Sequence, residues 1–311
     1  MRQKLNTLFL KYLEMKNLLI ILVAGLLIYS CTSNQQKEMT TIKNPFFAEY
    51  GTPFEVPAFD KIKIEHYIPA FEEGMKQQLA EIDAIVNNGD APTFENVIVA
   101  KNNSGELLTN VRSVFFNLSS AVTNEDIQRI SKEIAPLLSA HGDNIALNEK
   151  LFEKVKVVYE QKESLGLNTE QMMLLDKTYK GFVRGGANLK GTEKDKFREI
   201  NKELSILTVE FGENQLAESN DFQLVIDKKN DLAGLPQYVI DMGADDAKAA
   251  GLEGKWLYTL NKPSLIPFIQ YADNRELREN IFKGYINRGN NDNDHDNKKI
   301  AAKIEIGRAH V

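Results

Sequence analysis

Residues 196–211 read KFREINKELSILTVEF. Phe197, Ile200, Leu204, Leu207 and Phe211 recur in steps of 3, 4, 3 and 4, which is one face of an α-helix and cannot be one face of a strand. The stretch predicts the seam of a long helix packed against a neighbour.

The same period extends outward from it. Phe71, Met75, Leu79, Ile82 and Val86 form a stripe, with Pro69 expected in the first turn of that helix. Thr93 caps a helix whose inner face starts at Phe94, Val97 and Ile98, and helical character is expected to continue past Gly105 to Leu118. Thr123 or Asn124 starts another helix, with Pro136 as a candidate kink. Leu151, Val155 and Val158 mark a further helix. Asn168 with Gln171 fits a reciprocal cap before Met172, Leu175, Tyr179 and Phe182, and Gly185-Gly186 ends that segment. Two short stretches alternate like strands, Phe222 to Ile226 and Trp256 to Leu260; between them a helix opens at Leu235-Pro236 and closes at Gly251. Pro263 and Asp273-Asn274 begin two more helices. The expected fold is mainly α with a small two-stranded β element.

Composition narrows the function. The chain has 311 residues, 38 Lys+Arg against 44 Asp+Glu, and a net charge of −6, so no basic face exists to neutralise phosphates and no nucleic-acid partner is expected. One cysteine excludes an internal disulfide. Met15-Lys16-Asn17 leads into the apolar run Leu18 to Ile28 and then Tyr29-Ser30-Cys31, which reads as a secretory signal too short for a spanning helix. The last four residues resemble a bacterial lipobox, making Cys31 the expected lipid attachment site; Tyr29 departs from the usual small residue. Residues 1–14 then read as an upstream over-annotation, 15–30 as the lipoprotein signal peptide, 31–43 as a flexible tether and 44–305 as the helical body. Removing residues 1–30 leaves 34 basic against 43 acidic residues, a net charge of −9, so membrane attachment is expected through the lipid and not through charge. Residues 306–311 can be encoded by a common sequencing-adapter string and are expected to be artefact.

The search for chemistry is mostly negative. None of the four histidines (His66, His141, His295 and His310) is followed by Glu, so the helical H-E-x-x-H zinc motif is absent. There is neither a phosphate-binding glycine loop nor a G-x-S-x-G elbow. Asp292, Asp294, His295 and Asp296 lack the glycine and distal Glu of a calcium loop and read as caps of the next helix. His66 reads as a packed structural histidine. Arg184, Arg275 and Arg278 suit an anionic group, with salt bridges as the default reading.

Longer strings carry a resemblance. Asn44-Pro45-Phe46-Phe47, Pro57-Ala58-Phe59-Asp60-Lys61-Ile62 and Glu65-His66-Tyr67-Ile68-Pro69-Ala70-Phe71 are followed by Pro92-Thr93-Phe94-Glu95-Asn96, Val114-Phe115-Phe116-Asn117-Leu118 and Tyr179-Lys180-Gly181-Phe182-Val183-Arg184. Gln270-Tyr271-Ala272-Asp273-Asn274-Arg275-Glu276-Leu277-Arg278 and Tyr285-Ile286-Asn287-Arg288-Gly289 continue the order. Together they resemble the N-terminal portion of the thimet oligopeptidase family of zinc metallopeptidases, most of all its bacterial peptidyl-dipeptidase (dipeptidyl carboxypeptidase) and oligopeptidase A members. The resemblance implies a clam-like helical enzyme that admits short peptides, releases C-terminal dipeptides or cleaves internally, and binds zinc through an H-E-x-x-H helix downstream of this chain. No catalytic or metal residue is therefore assigned here, and this chain alone is expected to be inactive and to bind no zinc. The implied partners are short peptides and, through the lipid, a membrane of the cell envelope (periplasmic or outer); the implied state is a monomer. The alternative is a complete helical lipoprotein that binds peptides or a partner without catalysis.

Overall fold

The computed structural model describes residues 44–310. The expected signal peptide, tether and Cys31 lie outside the described residues. No helix among them is long and apolar enough to cross a membrane.

The described part opens with two 3-10 turns, Pro45–Phe47 and Pro53–Glu55, the first of them packed on the first helix. Asn44 holds this segment down: its carboxamide oxygen accepts the Phe46 N–H at 3.1 Å and its amide donates to the His66 carbonyl at 2.8 Å. Helix α1 is Ile64–Asn87. It starts before Pro69, contrary to the sequence expectation, because the His66 ring accepts the Lys63 N–H at 2.9 Å and so caps an earlier turn. Pro69 then sits in the second turn, where its missing N–H costs one early ladder bond.

A π-helical turn, Phe94–Val99, runs into α2, Ala100–Asn103. Thr93 and Asn96 cap it reciprocally, at 2.7 and 3.1 Å. Helical character continues past Gly105 as expected, but with a break at that residue. Gly105 takes φ +80, its N–H donates to Glu81 at 2.7 Å, and the Gln78 amide fills the space a Cβ would need. Helix α3, Glu106–Ala121, starts anew behind it. Asn124 caps α4, Glu125–Ala146, which continues through Pro136. Then come α5, Glu149–Glu160, and α6, Thr169–Arg184, the latter with the expected Asn168–Gln171 reciprocal cap.

Helix α7, Thr192–Asp221, contains the quoted stripe and packs along α4. Its seam is more polar than the stripe suggests. Phe197 and Leu207 are buried, whereas Ile200, Leu204 and Phe211 are half-buried. Asn201 donates to the buried Asp143 of α4 at 2.7 Å, and Arg198 donates to Asn144 at 2.9 Å. Burial raises the Asp143 carboxyl; the Asn201 bond and Arg198 oppose this.

The expected strands form, each shorter than its apolar run: β1, Leu224–Ile226, pairs antiparallel with β2, Trp256–Tyr258, Leu224 facing Tyr258. Helix α8, Gln237–Ala249, connects them and packs on β2. Helices α9, Lys262–Tyr271, α10, Arg275–Ile286, and α11, Lys298–His310, complete the order, with α11 lying against α7.

Three apolar cores result. One gathers Tyr67, Phe71, Val111, Phe115, Ile130 and Ile134 from α1, α3 and α4. A second gathers Ile82, Ile98, Leu151, Val155, Leu175 and Phe182 from α1, the π turn, α5 and α6. The third lies around the two strands, with Val239, Tyr258, Phe268 and Ile281 at its centre.

Candidate functional site

The histidines are on separate elements, and His66 and His141 are committed to structure. His66 is buried and caps α1 as described. His141, buried in α4, pairs its Nε2 with Gln78 Oε1 of α1 at 2.6 Å, while its Nδ1 has no partner among the described residues. Burial, and secondarily the Arg112 charge, push the His141 ring below the ordinary imidazole value. His295 lies in the loop before α11, 3.9 Å from Asp221. His310 lies at the end of α11. Among the described residues no group of three or more His, Cys, Asp or Glu is placed to hold a metal ion.

The acidic run before α11 caps the helix. Asp296 accepts the Lys298 and Asp292 N–H groups, each at 2.9 Å, and the Lys298 ammonium bridges both carboxylates. These contacts hold Asp296 below the ordinary carboxylate range, the Lys298 N–H contributing most. Behind the run lies an anchor that the sequence does not announce. The buried Glu218 carboxylate of α7 accepts the Gly289 N–H, the Asn291 amide at 2.8 Å and the Asn293 amide at 2.6 Å. The structure does not bring the three arginines into one group. Arg184 ends α6 and Arg275 starts α10, while Arg278 donates to the Ala272 and Asp273 carbonyls behind α9, bonds that replace the salt bridge expected of it.

Two concavities lie along the leading segment. One, about 760 Å³, is lined by Phe46, Phe47, Pro69, Glu72, Glu73 and Lys76; another, about 660 Å³, by Tyr50, Glu49, Glu55, Glu106 and Asn110. Lys76 is already paired with Glu73 at 2.9 Å. The Glu73 carboxyl is held low first by the Gln77 amide and then by Lys76. This cleft is acidic and favours basic groups over anions. Exposed aromatics stand beside it: Phe47 and Phe59 are half exposed and Phe54 almost wholly so, with Phe54 and Glu55 both at positive φ, where side chains are strained.

No family model matches the chain. Curated proteins do. The chain is 37% identical over 271 residues to the dipeptidyl carboxypeptidase of Escherichia coli (strain K12), a match covering 87% of this chain and 40% of that protein. It is 28% identical over 257 residues to oligopeptidase A of the same organism, covering 81% of this chain and 38% of that protein. A probable cytosolic oligopeptidase A of Arabidopsis thaliana is 25% identical over 273 residues, covering 86% and 38% respectively. The chain thus spans about two fifths of the length of these relatives.

Proposed function

We propose, from the premise that this chain belongs to the thimet oligopeptidase family together with dipeptidyl carboxypeptidase and oligopeptidase A, that it is one part of a zinc metallopeptidase acting on short peptides. The observation that carries this reading is the 37% identity along 87% of the chain. The dipeptidyl carboxypeptidase relative favours release of C-terminal dipeptides over internal cleavage. The leader and its Cys31 favour an exported enzyme held in the cell envelope by a lipid.

The residues present do not fit a zinc centre. The sequence has no H-E-x-x-H, and His66 and His141 are bound to other tasks. No step through the metal is therefore assigned to them. A zinc ion in such an enzyme would be held by residues other than those of this chain, and would supply polarisation of the scissile carbonyl and activation of water. The part of this chain is to wall the peptide channel, with the acidic cleft along 46–76 available to basic groups of a peptide.

Two measurements test the reading. The purified 311-residue chain is assayed for zinc content and for chelator-sensitive cleavage of a blocked tripeptide; neither is expected, and stoichiometric zinc or cleavage would overturn the assignment of catalysis elsewhere. A long read through the genomic locus past the Lys303 codon is expected to continue into a helix carrying H-E-x-x-H. A frame that closes without one would overturn the peptidase reading itself and favour the non-catalytic binding lipoprotein.

A further inference from the structure

One cavity differs in sign from those along the leading segment, between α7 and α11, and beside Glu218. It measures about 420 Å³ and opens between α2, α4 and α6. Its walls carry Lys101, Lys177 and Thr178 beside the apolar Ile145 and Phe182, and no carboxylate. The cavities along the leading segment, between α7 and α11, and beside Glu218 all carry at least one Glu. In a chain with more acidic than basic residues, this wall chemistry stands out.

Its polar groups are also uncommitted. Lys101 is half-buried, with its ammonium 5.7 Å from the centroid of the Phe182 ring. Among the described residues neither Lys101 nor Lys177 has an ion-pair partner, and the Thr178 hydroxyl makes no hydrogen bond. An ammonium drawn from water without an anion is costly, and the ring face offsets this only in part.

We propose that this cavity binds a carboxylate bearing an apolar group, Lys101 and Lys177 receiving the carboxylate and Phe182 with Ile145 the apolar body. The inference goes beyond the peptidase reading and does not depend on it. Desolvation holds the Lys101 amine below the ordinary lysine value; a bound carboxylate would restore it by opposing charge. The ligand is a free apolar acid or the carboxyl terminus of a peptide, which share this chemistry.

The test uses the purified chain and three probes: phenylacetate, N-acetyl-phenylalanine and N-acetyl-phenylalaninamide. Calorimetry is expected to show binding of at least one acid and at least about tenfold weaker binding of the amide. Binding of phenylacetate identifies a free-acid site, and binding of N-acetyl-phenylalanine alone identifies a peptide-terminus site. Lys101→Met, which keeps the stem, is expected to weaken binding at least about tenfold. Gly181→Leu leaves every charge in place; Gly181 lines the cavity and a Cβ there meets nothing within 4 Å, so the larger side chain fills the space and is expected to abolish binding. Isotope-labelled reductive methylation adds a direct readout: the Lys101 signal titrates below the ordinary lysine value and moves up when the acid saturates the site. No binding of either acid, equal binding of the amide, or undiminished binding by both variants overturns the proposal.

Discussion

Truncating Glu218 should detach the loop before α11 from the long helix. The carboxylate accepts three donors from residues 71 to 75 positions later in the chain. A hydrogen bond to a charged group contributes about 1.5–3 kcal/mol, and an orphaned buried donor retains its desolvation cost. The Gly289 N–H is buried and keeps most of that cost, whereas Asn291 and Asn293 are exposed and their amides can turn to water. The expected loss for Glu218→Ala is therefore about 3 kcal/mol, most of it from Gly289 and the remainder from weakened loop packing. Glu218→Gln keeps one carbonyl acceptor and should lose about half as much. Urea unfolding followed by far-ultraviolet circular dichroism measures both, read as a lower midpoint at constant slope. A loss below about 1 kcal/mol for the alanine variant would refute the reasoning, because it would mean that the loop stays in place without its anchor.

Two further perturbations follow from groups already described. His141 favours its neutral form in the fold, so its contribution to stability is present above the ordinary histidine value of about 6.5 and is lost as pH falls below it; unfolding midpoints at about pH 7.5 and about pH 5.5 should differ less in His141→Leu than in the parent chain, and equal differences would contradict this. Gly234, at φ +84 in the turn before α8, leaves no room for a Cβ because the Tyr271 carbonyl and Asp273 carboxylate occupy that space, so Gly234→Ala should cost at least about 2 kcal/mol by the same urea assay.

Local chemistry was readable where it acts within a few residues. The Thr93 cap, the reciprocal cap at Asn168, the helix start at Thr123 or Asn124, the helix end at Gly251 and the alternation of 222–226 and 256–260 all carry their cause in adjacent side chains. The start of α1 was missed because its cap is a histidine, a residue type that rarely signals a helix start; only the 2.9 Å bond from Lys63 reveals the role. The break at Gly105 depends on Gln78 and Glu81, more than twenty positions earlier, so no local pattern shows it. The candidate site was legible as a resemblance and as a missing motif, not as a place. The uncommitted lysine cavity joins residues 101, 142–146 and 177–182, and Glu218 meets donors more than seventy positions away. Long-range convergence of this kind leaves no period in a sequence.

The arrangement of the three apolar cores bears on how the chain comes together during synthesis. The first two close entirely on residues before 188, and the third uses only residues after 221. Each half can therefore complete its own interior as soon as its segment has left the ribosome, without waiting for a distant strand or helix to arrive. Helix α7 lies between them in the chain and packs on α4 and on α11. Assembly in this order divides the described residues into two shorter folding problems.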